Sequence, residues 1–197
     1  MYENKIITEP KWKSWIVQTT TPLFTPEQCR QIISSGRAQK PQQAQVGMNK
    51  PEGGTDTKKR VTTISWIPFQ EMGHMYQDLN TFIQKANENH FGFGDIQVTE
   101  QAQFTEYPEG GFYDWHMDCD VNMEHEPPVR KISMTVLLND PKEFEGGHLE
   151  LMAPGKFAEL KQGHAIIFAS FLNHRVNPVT KGMRQSLVCW FGGKPFR

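Results

Sequence analysis

The spacing of apolar residues changes character near residue 95. Before it, two stretches repeat on a helical period. In TPEQCRQIISSG, Thr25 stands as an N-cap, Pro26 follows at the first helical position, and Gln28 completes a capping box. Gly36 is expected to end that helix. From 69 to 89, Met72, Met75, Tyr76, Leu79, Phe82, Ile83 and Ala86 fall on one face. That stripe predicts a core-facing helix laid over one side of a sheet. Between the two helices, residues 38–59 are polar and carry two prolines and three glycines. They read as a long mobile loop of the kind that closes over a binding site. VTTISWIPF then alternates and is rich in β-branched residues, which predicts a strand.

After residue 95 the pattern is all strand. IQVTEQAQFTEY, KISMTVLLND, GHLELM, GHAIIFAS and RQSLVCWFG are short β runs, separated by the turn signals PEGG, NDPKEFEGG, APGK and NPVTKG. Strands at this spacing predict a sandwich or an open barrel. The expected class is α+β. Residues 1–95 form a helical and strand support carrying the mobile loop 38–59, residues 96–197 form the barrel core, and the two make one folding unit.

Composition narrows the partners. The chain has 197 residues, 37% apolar and 11% aromatic, which fits one ordinary globular domain. Its 21 basic and 22 acidic residues leave a net charge of −1, so nothing electrostatic points to nucleic acid or an anionic membrane. No apolar run approaches the ~18 residues a membrane helix needs. The opening MYENKIITEPKWK lacks the apolar region of a secretory signal. Cys29, Cys119 and Cys189 are odd in number and scattered, which favours a reducing, cytoplasmic setting.

The chemistry gathers in YDWHMD, residues 113–118. Residues i and i+2 of a strand face the same way, so His116 and Asp118 can grip one ion. Alone that pair is weak, because a histidine beside a carboxylate is commonly just hydrogen-bonded. His174, in FLNHRVNPV after the strand GHAIIFAS, can add a third ligand from a neighbouring strand. Ten residues later Arg184 shares a strand face with Ser186. A guanidinium inside a barrel calls for a carboxylate to fork. Two histidines and one carboxylate make a facial triad with open positions, which suits non-haem Fe(II) and oxygen chemistry.

With HMD, GGHLEL and NHRVNPVTKGMRQS in this order, residues 98–195 resemble the 2-oxoglutarate/Fe(II)-dependent oxygenases, and among them the prolyl 4-hydroxylase-like, PKHD-type hydroxylases. The resemblance implies a double-stranded β-helix (jelly-roll) core. It implies Fe(II) held by His116, Asp118 and His174. It implies 2-oxoglutarate as cosubstrate, its far carboxylate paired with Arg184 and assisted by Ser186. Tyr107 matches a tyrosine that hydrogen-bonds 2-oxoglutarate in related prolyl hydroxylases, and Trp190 an aromatic near the iron. The implied reaction is O2-dependent hydroxylation of a C–H bond, releasing succinate and CO2, with ascorbate as a candidate reductant. The favoured partner is a peptide or protein with a prolyl residue, or a small amino acid.

The chain departs from some relatives. Collagen-type enzymes have Lys where Arg184 stands, and others have a second tyrosine where Leu137 aligns. Arg130, near the barrel mouth, and Arg60, at the end of the mobile loop, are substrate candidates, as are Tyr113 and Trp115. Together with Trp190, the last two are expected to wall the iron off from water. His125, His148, His164, His74 and His90 read as surface or structural residues. A cupin-type binding or isomerising protein is the alternative reading, because HRVN resembles part of a cupin motif. Cupins usually carry H-x-H with a Glu, however, and give Arg184 no purpose.

Overall fold

The predicted capping box forms. The Gln28 amide donates to the Thr25 hydroxyl at 3.2 Å, and the Thr25 amide donates to the Gln28 side chain at 2.8 Å. The helix it starts, α1 (Pro26–Ala38), does not stop at Gly36. Gly36 lies buried inside it, and a Cβ there would sit 2.3 Å from the ring of Phe104. The glycine is therefore a contact point between helix and sheet, not a terminator. Gly36→Ala would gain about 1 kcal/mol of helix propensity, but overpacking costs about 1–3 kcal/mol. We expect a net loss of stability, read as a lower urea midpoint with an unchanged slope. A midpoint at or above wild type would contradict the contact.

This computed structural model describes residues 14–43, 58–119, 128–153 and 159–195. The second helix, α2 (Gly73–Ala86), continues into one π-helical turn at Asn87–Phe91. Its predicted stripe is the buried face: Met75, Tyr76, Leu79, Ile83 and Ala86 are buried. The stretch 38–59, expected as a mobile loop, lies only partly within the described residues. Ala38 belongs to α1, Gln42–Gln43 form a short strand and Arg60 opens another; residues 44–57 lie outside the described residues.

Among the described residues there are fourteen strands, numbered in chain order. They are β1 (Ile16–Gln18), β2 (Gln42–Gln43), β3 (Arg60–Val61), β4 (Thr63–Ile67), β5 (Gln97–Val98), β6 (Ala102–Tyr107) and β7 (Phe112–His116). The rest are β8 (Val129–Leu137), β9 (Phe144–Gly146), β10 (Leu149–Leu151), β11 (Ala165–Ala169), β12 (His174–Val176), β13 (Val179–Gly182) and β14 (Arg184–Gly193). The larger sheet runs β1-β11-β8-β14-β6-β4-β2, with β5 also paired to β14. The smaller runs β10-β12-β7-β3, and β9 and β13 make a two-stranded ribbon. All pairings are antiparallel, as in a double-stranded β-helix.

Strand alternation gives the larger sheet two unlike faces. Phe104, Met134, Val136, Ile167, Leu187 and Cys189 share one face and pack with Cys29 and Ile32 of α1 and Leu79 and Ile83 of α2. Register puts another set on the other face: Thr105 and Tyr107 opposite Ser186 and Arg184, and Ser133, Thr135 and Leu137 opposite Trp190, Val188 and Ser186. The helices cover the apolar face. The polar face is left for chemistry.

Candidate metal and cosubstrate site

The smaller sheet brings two histidines together. His174 opens β12 and pairs in register with His116, the last residue of β7. Their rings lie 4.1 Å apart between centroids. Asp118 lies just past the strand end. Its amide and that of Cys119 each donate to the Ser170 carbonyl at 3.0 Å, which fastens this turn to the end of β11. The carboxylate thereby reaches both imidazoles: His116 Nε2 is 3.7 Å from one oxygen and His174 Nε2 is 3.5 Å from the other.

Each ring is oriented from behind. His116 Nδ1 lies 2.8 Å from the Asp114 carbonyl and His174 Nδ1 lies 3.0 Å from that of Leu172. A proton on Nδ1 meets those carbonyls and leaves the Nε2 lone pairs facing Asp118. The Ser133 hydroxyl donates to Asp118 at 2.7 Å and lies 2.9 Å from the Ser170 hydroxyl. The three donor atoms lie within 4.8 Å of one another. Metal bonds of about 2.0–2.2 Å separate neighbouring donors by about 3 Å, so a small closure completes a facial triad. The donor set fits a divalent iron.

Burial, and then the neighbouring His174, push the His116 imidazole down to about 4, against the pull of Asp118. Burial also works to raise the Asp118 carboxyl, but the two imidazoles and the Ser133 hydrogen bond outweigh it and hold it below its usual range. Near neutral pH the site thus offers a neutral imidazole and a carboxylate, the forms that bind metal. The unfolded chain protonates its histidine at about 6.5, before the folded one does. The metal-free protein should therefore lose stability as pH falls from about 6.5 to about 4. The thermal midpoint should slope across that window, and less so in His116→Gln. Equal slopes in the two proteins would contradict this.

On the polar face of the larger sheet, Arg184 and Ser186 are both buried, and Arg184 donates to the Ser186 hydroxyl at 3.1 Å. Burial lowers the guanidinium's pKa. Among the described residues no carboxylate lies within ion-pairing distance of it. Tyr107 faces it across the strand pair, with the guanidinium 5.5 Å from its ring centre. A cavity of about 480 Å³ opens beside Arg184, lined also by Leu137, Gly147, Leu149 and Ile166. A Cβ on Gly147 would come within 2.9 Å of the Arg184 side chain, so the glycine leaves room for that stem.

The other expected residues fall in different places. Tyr113 stacks on His116 at 3.5 Å, and Arg60 lies 4.3 Å over the Tyr113 ring. Trp190 is buried on the polar face, with Arg130 stacked 3.8 Å from its ring centre. Arg130 is also forked by Glu100 at 2.6 and 2.5 Å. Trp115 is not part of the expected aromatic wall. It is 39% exposed, on the outer side of the smaller sheet, with Arg175 stacked 4.8 Å from its ring centre. The pairing of β12 with β7 shifts between His174 and Val176, which brings Tyr113 to the side of His116, while Trp115, next to His116 on the strand, faces the other way. His164 is structural, contacting the Thr19 carbonyl at 3.1 Å, and His148 is exposed at the rim of the cavity. His125 lies outside the described residues.

Sequence reasoning missed Ser133, Ser170, Glu100 and Gln103. A signal existed for the first: Ser133 and Thr135 are polar residues at i and i+2 in the otherwise apolar run ISMTVLL.

His116, Asp118 and His174 make a two-histidine, one-carboxylate face inside a double-stranded β-helix, with the buried Arg184 beyond it, a donor set of the kind that suits non-haem iron. Residues 102–192 match the model of the 2OG-Fe(II) oxygenase superfamily. A PKHD-type hydroxylase of Colwellia psychrerythraea is 34% identical over 147 residues, covering 72% of this chain and 64% of that protein. One from Xylella fastidiosa is 38% identical over 103 residues, covering 47% of this chain and 44% of the relative. The chain thus spans less than two thirds of either. A Pseudomonas putida prolyl-4-hydroxylase shares the fold with a TM-score of 0.70 at 20% identity, covering 92% of this chain and 94% of that one. A viral collagen prolyl hydroxylase does so at 0.70 and 17%, covering 92% and 97%. Among the described residues, no helix is long and apolar enough to cross a membrane.

Proposed function

We propose that this chain is a 2-oxoglutarate- and Fe(II)-dependent dioxygenase that hydroxylates a C–H bond, with a prolyl residue of a peptide or protein as favoured substrate. The observation that carries the reading is the pairing of the triad with Arg184, a buried cation lacking a described carboxylate partner. A cupin-like binding role accounts for the first and not the second. The prolyl substrate is supported by the names of the relatives and by the fold shared with prolyl hydroxylases.

When bound, Fe(II) with 2-oxoglutarate and O2 supplies the oxidising power for hydroxylation and leaves succinate and CO2. The chain's residues do the rest. His116, Asp118 and His174 would hold the iron, with Ser133 keeping Asp118 aimed. Arg184, with Ser186 and Tyr107 beside it, would hold the far carboxylate of 2-oxoglutarate. The buried Leu137, Ile166 and Phe168 exclude water around them. Ascorbate would act as reductant, and the odd, scattered cysteines fit a cytoplasmic protein. The test is succinate formation from 2-oxoglutarate that requires Fe(II) and O2, rises with prolyl peptides, and gives a product heavier by one oxygen. Iron binding without 2-oxoglutarate consumption would favour the cupin reading.

A further inference from the structure

The described arginines divide in two. Arg30, Arg37, Arg130 and Arg175 each pair with a glutamate. Arg60 and Arg184 pair with no described carboxylate, and both point into the space between the sheets. Arg184 is accounted for by 2-oxoglutarate; Arg60 is not. Its register partner is Tyr113, and its guanidinium covers one face of that ring while His116 stacks on the other. Arg60, Tyr113 and His116 thus form a column ending at the metal ligands. One terminal nitrogen of Arg60 donates to Gln103 at 3.0 Å. Its Nε is buried without an acceptor.

A second donor is stranded at the same end. The indole nitrogen of Trp190 is also buried without an acceptor, on a side chain only 5% exposed. The Trp190 ring lies 6.0 Å from that of Trp66, which pairs in register with Gln103, the residue that holds Arg60. Few buried donors in folded proteins go unpaired. Two such donors on side chains linked through Gln103 and Trp66, one of them cationic, mark a place for an acceptor from outside the chain. A desolvated guanidinium favours an anionic acceptor over a neutral one.

We propose that Arg60, assisted by the Trp190 indole N–H, binds a carboxylate of the substrate, so that the substrate carries a carboxylate close to the carbon it has hydroxylated. The carboxylate belongs either to a free amino acid or to an acidic residue beside the target in a peptide. This rests on the dioxygenase reading, which leaves Arg60 on the substrate side when Arg184 holds 2-oxoglutarate.

The test is a titration of Zn(II)-loaded, 2-oxoglutarate-saturated protein with acetate, with acetamide as the neutral control. Indole and arginine Nε–H signals are followed by NMR, with Trp190 assigned from Trp190→Phe. Saturable shifts of the Trp190 and Arg60 signals are expected with acetate and not with acetamide. Affinity should fall at least tenfold in Arg60→Gln and be partly kept in Arg60→Lys, which also guards against a folding defect. Equal response to acetamide, no saturable shift, or an unchanged affinity in Arg60→Gln overturns the proposal. Displacement of acetate by L-proline assigns a free amino acid; displacement only by N-acetyl-glutamyl-prolinamide assigns an acidic peptide; displacement by neither overturns it. The dioxygenase reading is tested apart, by a 2-oxoglutarate shift that Arg184→Ala should abolish.

Discussion

Replacing Arg184 with alanine is expected to raise the KM for 2-oxoglutarate by about 30-fold to several thousand-fold and to leave iron binding in place. Removing one partner of a buried, hydrogen-bonded charge pair costs about 2–5 kcal/mol, and each 1.4 kcal/mol is tenfold. Much of that cost is the carboxylate left without a fork. Arg184→Lys should fall between, because it keeps the charge and loses the planar geometry. The sign of the stability change separates this role from a structural one. Arg184 is 3% exposed and meets no described carboxylate, so without cosubstrate its burial is a burden. The metal-free alanine variant should be no less stable than wild type. A less stable protein with unchanged KM would make Arg184 a structural residue.

His174→Ala should lower Fe(II) affinity by at least about 100-fold and reduce turnover to background. Loss of an outer partner of a metal ligand commonly costs about 10–100-fold, and loss of the ligand costs more. His174 is also buried, oriented by the Leu172 carbonyl and packed against Phe168 at 4.6 Å, so no other described side chain is placed to take over. His148→Ala is the control. It is exposed at the cavity rim and should leave iron affinity unchanged. Equal effects of the two substitutions would remove His174 from the triad.

The meeting of His116, Asp118 and His174 and the burial of Arg184 were legible because each sits where period-two alternation or a strand end leaves one choice of direction. His116 faces His174 in register, and Arg184 faces Tyr107. The α2 stripe was legible for the same reason, on a period of 3.6. What failed depends on contacts between distant segments. Gly36 looks like a helix stop, and only Phe104 shows why a glycine sits there. Ser133 meets Asp118 and Ser170 across separations of 15 and 37 residues that no local pattern records. Trp115 was expected in the wall because it neighbours His116 in sequence, but adjacent strand residues face opposite ways, and Trp115 is exposed. Strands of two or three residues, such as β1 and β2, are too short to display a period.

The central claim is that iron and 2-oxoglutarate meet between the triad and Arg184. The most direct measurement is anaerobic addition of Fe(II), then 2-oxoglutarate, with the visible spectrum recorded after each. A weak charge-transfer band should follow the second addition in wild type and be absent in His174→Ala. Iron binding with no band on adding 2-oxoglutarate to wild type would contradict the account.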